Sequence, residues 1–482
     1  MLLKATFPQQ TFYTHIHDDN EHKPWDIVIK PDGNMLFSSF YRSDDTSWSS
    51  IWELDQAGDI INEWKFTNTS EEHFRGTELL EVENHIFFFG LGQSVKNGNT
   101  EKFVSMRKFD IQLNEIESYC YNLSGITYLG SMPIKVIYRD LSFHIFTSVE
   151  YAAGWFIPAY FKVSQTGTKI HSAFLPPSSD QVLLPYDMCL MPGSDNLFTV
   201  VFDGLAIYNT LGVFTEFDTA MNIVSQFPLI NDSGPSIPDF GILEDSDSTF
   251  YTMYNVGTPA QFNSIVDKRN IEGNIINQFV FECPEDSASY IAYRNALDTL
   301  PDGNLIFCVT KNIDFYSGVQ QEPTQIRFFK LRPNLELIWQ KFLFGDDGNY
   351  RVWSMKAHPD GGIVVSGTFS RTPPLSSAME IFFMKTDSEG QLTHIGDDKQ
   401  QIKTTEAILF PTPAQDFVIV DFSLLYKTAV LQLIDLAGRT VFEQALTSNH
   451  QQVDISGVPA GAYVYRIFNS KGLEESGKMV VE

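Results

Sequence analysis

Aromatic and guanidinium side chains recur side by side in this chain, at Pro24-Trp25, Arg75, Tyr186, Tyr293-Arg294 and Tyr350-Arg351-Val352-Trp353. Aromatic faces stack on sugar rings, and guanidinium forks grip carboxylate or sulfate oxygens. Trp25, Arg75, Tyr186, Tyr293, Arg294, Tyr350, Arg351 and Trp353 therefore form the candidate ligand-binding set. Tyr41-Arg42, Trp48, Tyr151, Trp155 and Phe315-Tyr316 extend the same chemistry into longer loops. The competing expectation is structural, with aromatics packing between sheets and arginines pairing with nearby acids. Patterns for catalysis are missing: there is no Gly-x-Ser-x-Gly elbow, no phosphate-binding glycine loop and no His-Glu-x-x-His helix. No catalytic residue is assigned. The acid pairs Asp44-Asp45, Asp245 with Asp247, and Asp346-Asp347 lie in turns. None follows the spaced loop of a calcium hand, so no cofactor is expected and Ca²⁺ is the one ion left open. Near the N terminus His15, His17 and His22 alternate with carboxylates. Such a run suits a metal, a solvated tail, or a strand completing the last sheet.

The elements that must position these residues are announced by a repeat. Leu300-Pro301-Asp302-Gly303-Asn304-Leu305 has copies at Ile29–Leu36 and Ala357–Val364, each a pair of alternating apolar runs around Pro-Asp-Gly. Asp-Gly supplies the positive backbone angles of a tight hairpin. Some twenty residues on, a second hairpin follows with an Asp-x-x-Gly turn, as at Asp55-Gln56-Ala57-Gly58 and Asp387-Ser388-Glu389-Gly390. Each unit thus reads as a four-stranded antiparallel sheet. About seven units at a spacing of about fifty to sixty residues suit a β-propeller, with stacked β-sandwiches as the rival. In a propeller, the loops leading into the innermost strands gather around the axis, which is where most of the candidate residues fall.

Composition narrows the partners. The 482 residues carry 33 Lys and Arg against 60 Asp and Glu, a net charge of −27. That field repels nucleic-acid phosphates and anionic lipid surfaces, so neither is expected as a partner. Aromatics at 14% favour strands over helices. No apolar run is long enough to cross a bilayer as a helix, so a membrane-spanning chain is not expected. Residues 1–8 lack the pattern of a secretory signal. Cys120, Cys189, Cys283 and Cys308 show no metal-ligand spacing.

From Ile408 the texture changes to short alternating strands, reading as a small immunoglobulin-like β-sandwich. Pro411 and Pro413, Asp435 with Gly438-Arg439, the Asp454, Gly461 and Tyr463 run, and Lys478 follow one another in order. This segment resembles the C-terminal sorting domain of the type IX secretion system of Bacteroidetes-type bacteria, with Thr412 where the family usually has Asn. The resemblance implies export by a cleaved signal peptide, engagement of the type IX machinery, and delivery to the cell surface or the medium. The blade repeats also loosely resemble propeller repeats in cargo of that system.

The expected organisation is all-β. A lead-in covers residues 1–24, a propeller of about seven blades 25–400, a linker 401–407 and the sorting sandwich 408–482. The expected function is a secreted or surface binding protein for a polysaccharide or a surface protein. A carbohydrate-active hydrolase or lyase on the same scaffold, and a structural spacer or adhesin, are the alternatives.

Overall fold

In the computed structural model, the described residues are all except 1–9, 17–20, 43–46, 97–98, 124–133, 153–154, 175–186, 192–194, 204–210, 229–235, 247, 259–260, 283–288, 293, 312–323, 345–348, 371–379, 393–402, 406, 411–412, 423–428, 436, 447–449 and 469–473. Seven antiparallel sheets follow one another along the chain, and each becomes a blade. Blade 1 is built from Glu21–Ile29, Met35–Arg42, Ser47–Leu54 and Ile60–Thr67, hydrogen-bonded in that order. Blades 2 to 7 open on first strands Glu72–Val82, Lys135–Arg139, Met188–Leu190, Ser236–Ser246, Ser289–Ile291 with Leu297–Thr299, and Asn349–Ala357. The first strand of each blade packs on its predecessor's sheet, and that of blade 1 packs on blade 7. The ring is therefore closed.

Closure uses the N terminus. Phe12–Ile16 pairs antiparallel with Glu380–Lys385 and supplies the fourth strand of blade 7. The stretch read as a lead-in thus contains the closing strand, and blade 1 begins at Glu21 rather than Trp25. Its histidine is spent there, with His15 Nε2 2.5 Å from Glu380 Oε2. Among the described residues no group of three His, Cys, Asp or Glu is placed to hold a metal, and no helix is long and apolar enough to cross a membrane. Of the cysteines, Cys120 is exposed while Cys189 and Cys308 are buried free thiols.

Local chemistry explains the repeat. In the Asp-x-x-Gly turn the Asp carboxylate accepts backbone N–H groups two and four residues on, as Asp55 does from Ala57 and Asp59 at 2.9 and 3.0 Å. Asp110, Asp218 and Asp387 repeat this geometry. Such side-chain caps satisfy the turn amides without help from distant chain. In blades 5, 6 and 7 a lysine two residues upstream anchors the turn to the other hairpin of the same blade, whereas Lys162 of blade 3 pairs with Asp195 of blade 4. Lys330 Nζ lies 2.9 Å from Asp302, Lys268 Nζ 2.9 Å from Asp245, and Lys385 Nζ 2.6 Å from Asp360. Blade 1 reverses the charges, with Lys30 Nζ 2.6 Å from Glu53.

The seams between blades alternate between two designs. The last position of the Asp-x-x-Gly turn has positive φ in every blade: Gly58, Gly167, Gly273 and Gly390 in blades 1, 3, 5 and 7, but Leu113, Met221 and Leu335 in blades 2, 4 and 6. Where it is glycine, a Cβ would strike an aromatic ring of the preceding blade's outer strand: Phe12, Tyr119, Phe227 or Trp339. Where it is Leu or Met, the side chain itself is buried at the seam. Each seam therefore receives one large plug, from one side or the other.

Beyond the propeller, Lys403–Thr405 in the expected linker pairs with the outer strand of blade 6. The remaining strands form a three-stranded and a four-stranded sheet around one apolar core that includes Val418, Leu431, Val453 and Met479. This is the two-layered sandwich expected from Ile408 onward.

Candidate functional site: the axial hub and the layer above it

The first strands of several blades carry a β-bulge at the same level. The extra residue is Trp25 in blade 1, Thr77 in blade 2 and Trp353 in blade 7. A bulge re-aims the side chains around it, and here the next residue in each strand, Asp26, Glu78 and Ser354, enters one polar cluster. Opposite the bulges sit small residues: Ser39, Gly90 and Gly367. They let the bulged backbone approach, since a Cβ at Gly90 or Gly367 would strike the carbonyl of Arg75 or Arg351.

The cluster joins blades that are not neighbours, which places it on the axis. Arg294 of blade 6 donates from Nη1 to Thr77 O at 2.8 Å and from Nη2 to Ile134 O, and lies 2.9 Å from Glu78 Oε2. Lys135 of blade 3 reaches Asp187 at 3.1 Å, Glu78 at 3.7 Å and Asn295 Oδ1 at 2.9 Å. Asn295 Nδ2 donates in turn to Asp26 Oδ1 at 2.6 Å and to Ser354 Oγ at 3.3 Å. The acids also stitch successive blades. Asp26 accepts from Leu79 N at 2.8 Å, Glu78 from Val136 N at 3.4 Å and Asp187 from Ile242 N at 3.1 Å. All seven blades meet in this hub.

Asp26, Glu78, Asp187 and Arg294 are buried. Three carboxylates face two cations there, so one negative charge is in excess when all are ionised. Desolvation pushes the Glu78 carboxyl up to about 7, against the lowering pull of Arg294 and Lys135. Burial pulls the Lys135 ammonium down, but Asp187 and Glu78 more than offset this and hold it above the ordinary lysine value. A proton on Glu78 is the cheapest way to balance the hub.

One layer toward the start of the strands lie most of the residues singled out by their chemistry. Trp25 and Trp353 meet edge to face with ring centroids 5.4 Å apart. The Arg75 guanidinium stands 5.1 Å from the Trp25 ring and 4.9 Å from Phe40. Arg351 stands 4.8 Å from Trp353, whose indole N–H donates to Thr368 Oγ1 at 3.1 Å.

Placement separates the candidates. Trp25, Trp353 and Tyr350 are 2%, 5% and 4% exposed, so they are packing residues and not an open stacking platform. The bulges that turn both tryptophans inward, and Tyr13, Phe369 and Phe382 around Tyr350, are the physical reason. Arg294 belongs to the hub. Arg75 and Arg351 are half-buried at the edge of the layer. Tyr186 and Tyr293 lie outside the described residues. Tyr41 and Trp48, expected in a longer loop, lie instead in the paired second and third strands of blade 1, stacked with centroids 3.2 Å apart, and Lys65 Nζ stands 3.3 Å from the Trp48 ring centre, so Trp48 too is used within its blade.

The hub escaped sequence reasoning. Its members are scattered over the blades, two of them in blade 6 and only a backbone N–H from blade 5, and bond across separations such as the 269 residues between Asp26 and Asn295. One available signal was a polar residue directly after an aromatic one, as in Trp25-Asp26, Tyr186-Asp187 and Trp353-Ser354.

In the C-terminal sandwich the singled-out residues are mostly turn makers. Asp435 accepts from the N–H groups of Ala437 and Arg439 and from Arg439 Nε, each at 2.9 Å, and Gly438 takes positive φ. Those bonds hold its carboxyl below the usual range. Asp454 caps Ser456 N at 2.9 Å, and the Tyr463 hydroxyl donates to Pro459 O at 2.6 Å. Gly461 opens the strand that carries Tyr463. Pro413 and Lys478 are exposed, and Pro411 lies outside the described residues.

The fold and site together define a seven-bladed propeller with a β-sandwich at its C-terminal end. Residues 408–482 match the family described as the secretion system C-terminal sorting domain. The chain is therefore a type IX secretion cargo protein, delivered to the cell surface or the medium, and its tail engages that machinery. No curated relative matches the sequence. Similar solved structures include the β-propeller domain of the trilobed protease from Pyrococcus furiosus, with 7% identity, 82% of this chain and 100% of that one covered, and a TM-score of 0.40. The WD40 domain of SCAP from fission yeast aligns at 9% identity over 78% of this chain and 97% of that one, TM-score 0.38. The α-L-arabinofuranosidase Arb93A from Fusarium graminearum aligns at 9% identity over 79% and 98%, TM-score 0.40.

Proposed function

We propose that this chain is a secreted or surface-displayed binding protein whose propeller holds an extracellular polysaccharide or a surface protein above the axial hub, without chemistry on it. One observation carries this reading. The titratable groups that converge on the axis are already bonded to one another and to backbone amides of other blades. Groups committed in this way hold a ring together and are poorly placed to transfer protons to a ligand. The layer above them carries the half-buried first-strand residues Lys23, Arg75 and Arg351, and the sorting tail puts the propeller where extracellular polymers are met.

The hydrolase reading draws on one feature, the Glu78 carboxyl lifted to about 7 beside other acids, a value suited to a general acid. A glycan array with the full-length protein, followed by thermal shift with each hit and with Ca²⁺ or EDTA, tests both. Binding without release of shorter sugars is the expected result. Cleavage of a bound glycan overturns the non-catalytic reading, and no shift with any glycan leaves a protein-binding or spacer role.

A further inference from the structure

The position two residues upstream of the second hairpin's turn can be matched in every blade, and so can the second-strand residue directly opposite it. That opposite residue is Leu36, Phe87, Phe198, Tyr251, Ile306 and Val364 in blades 1, 2, 4, 5, 6 and 7, buried in each case. In blade 3 it is His144, which stands opposite Lys162 and is fully buried. A ring that can take a proton thus occupies a place that the other blades give to an apolar or phenolic side chain.

The seam with blade 4 surrounds this ring. Phe146 and Tyr160 beside it share one core with Met188, Leu190 and Leu197 of blade 4. The Tyr160 hydroxyl lies 3.0 Å from His144 Nδ1, whereas Nε2 is buried with no hydrogen-bond partner among the described residues. Lys162 bonds across the seam to Asp195, unlike Lys268, Lys330 and Lys385, which pair within their own blades. His171 is next in the row, on the exposed outer strand. Its ring centroid lies 6.2 Å from that of Tyr160, and its Nε2 donates to Thr219 O of blade 4 at 2.7 Å. The charged and titratable groups around His144 are therefore Tyr160, Lys162, His171, Arg139 and Asp140 from blade 3 and Asp195 from blade 4.

A proton on His144 puts a charge into this dry site and an N–H on Nε2 that has no acceptor. It also sets two cations on directly opposed positions of neighbouring strands, where like charges destabilise a sheet, and Asp195 is already bonded to Lys162. We propose that His144, set against the Lys162–Asp195 bridge, is an acid-sensitive latch on the seam between blades 3 and 4. In an acidic medium, opening the seam lets the ring take a proton that the closed seam denies it. Burial first, then Lys162 and Arg139, pull the ring down from 6.5 to about 4, against Asp195 and Asp140. The closed chain binds this proton less tightly than the open one, so the stabilisation is full above about pH 6.5 and is lost as pH falls towards 4. Lys135 and Asp187 join the same two blades at the hub, 3.1 Å apart, so the opening is expected at the outer strands. This device is independent of what the propeller holds.

Hydrogen exchange of the full-length protein at pH 7 and pH 5, with each rate corrected for the intrinsic pH dependence of amide exchange, tests the latch. Protection is expected to fall by about twentyfold at the lower pH. The loss should appear in Trp155–Ser164, Lys169–Phe174 and Leu197–Asp203 and not in blades 1 and 6. His144→Gln cannot take the proton and is expected to keep its protection at pH 5. His171→Gln, changed at the exposed end of the same row, is expected to lose it as the parent does. If His144→Gln does not fold, nuclear magnetic resonance of the parent with isotope-labelled histidine rings decides, and one ring is expected to stay neutral at pH 5. No loss in the parent, equal loss in the parent and His144→Gln, loss spread evenly over all blades, or every ring charged at pH 5 overturns the latch.

Discussion

The two ends of each blade solve the same problem differently. At the Asp-x-x-Gly end, every seam is closed locally. Asp55 caps its own turn, and Thr14 Oγ1 of the neighbouring blade donates to Gly58 O at 2.6 Å. Asn62 to Gln112 O and Tyr121 to Gly167 O repeat that bond at 3.0 and 3.1 Å. At the axis, by contrast, the blades contribute unlike groups, from the Asp26 carboxylate to the bare Ile242 N–H, and closure depends on charges from opposite sides of the ring. The turn end is repeated and redundant, whereas the axial end is irregular and cooperative. Damage should therefore stay local at the first and spread through the ring at the second.

The largest effect is expected from Arg294→Ala. It leaves Glu78 buried beside one remaining cation and frees the carbonyls of Thr77 and Ile134. Removing one partner of a buried pair costs about 3–5 kcal/mol. Urea unfolding of the variant should show that loss in the propeller, and a loss under about 1 kcal/mol would mean that the hub is not what closes the ring.

Next in size is the pH response of Glu78. Its folded-state pKa stands above its ordinary value, at about 7. The folded chain therefore binds this proton more tightly than the unfolded chain does. The stabilisation is complete below the unfolded value near pH 4.5 and is lost as pH rises through about 7, by up to about 3 kcal/mol. Glu78→Gln keeps an acceptor without the charge, so its melting temperature should vary less between pH 5 and 8 than that of the parent. Parallel melting profiles for the two proteins would assign the hub's balance to another acid.

This contrast also explains what was legible. Turn chemistry is local, so Asp302-Gly303 and Asp387 through Gly390 disclosed strands, hairpins and the approximate blade count. Leu113, Met221 and Leu335 weakened three copies of the turn signature, which were still readable from Asp110, Asp218 and Pro333-Asn334, because a large residue in the left-handed region is not a turn signal; their side chains are held there by burial at the seams. For the tryptophans the sequence left a binding face and packing between sheets both open, since the bulges at Trp25 and Trp353 break the alternation that sequence patterning relies on. The closing strand Phe12–Ile16 was one of three readings, because five alternating residues do not name their partner. The hub needed the closed ring before any of its pairs could be seen.

The turn end predicts smaller and separable effects. Gly273→Ala places a methyl group at a φ of +83° and into the ring of Phe227. Left-handed strain of about 1 kcal/mol adds to overpacking of about 1–3 kcal/mol. Gly303→Ala has nearly the same φ, +81°, but no atom within 4 Å of the new methyl. It should cost the strain alone, about 1 kcal/mol, with the hairpin bonds from Gly303 N to Leu300 O and from Leu300 N to Asn304 O kept. The difference between the two variants isolates the plug from the turn. If Gly303→Ala destabilises as much as Gly273→Ala in urea, the aromatic plugs add nothing, and the alternation of Gly with Leu or Met along the ring would be a feature of backbone conformation rather than of blade packing. If Gly273→Ala is clearly worse, and Phe227→Ala in that background no longer adds its full cavity cost, the two positions are coupled across the seam. That coupling would show that neighbouring blades at this end are joined pairwise, which the hub's dependence on opposite blades is not.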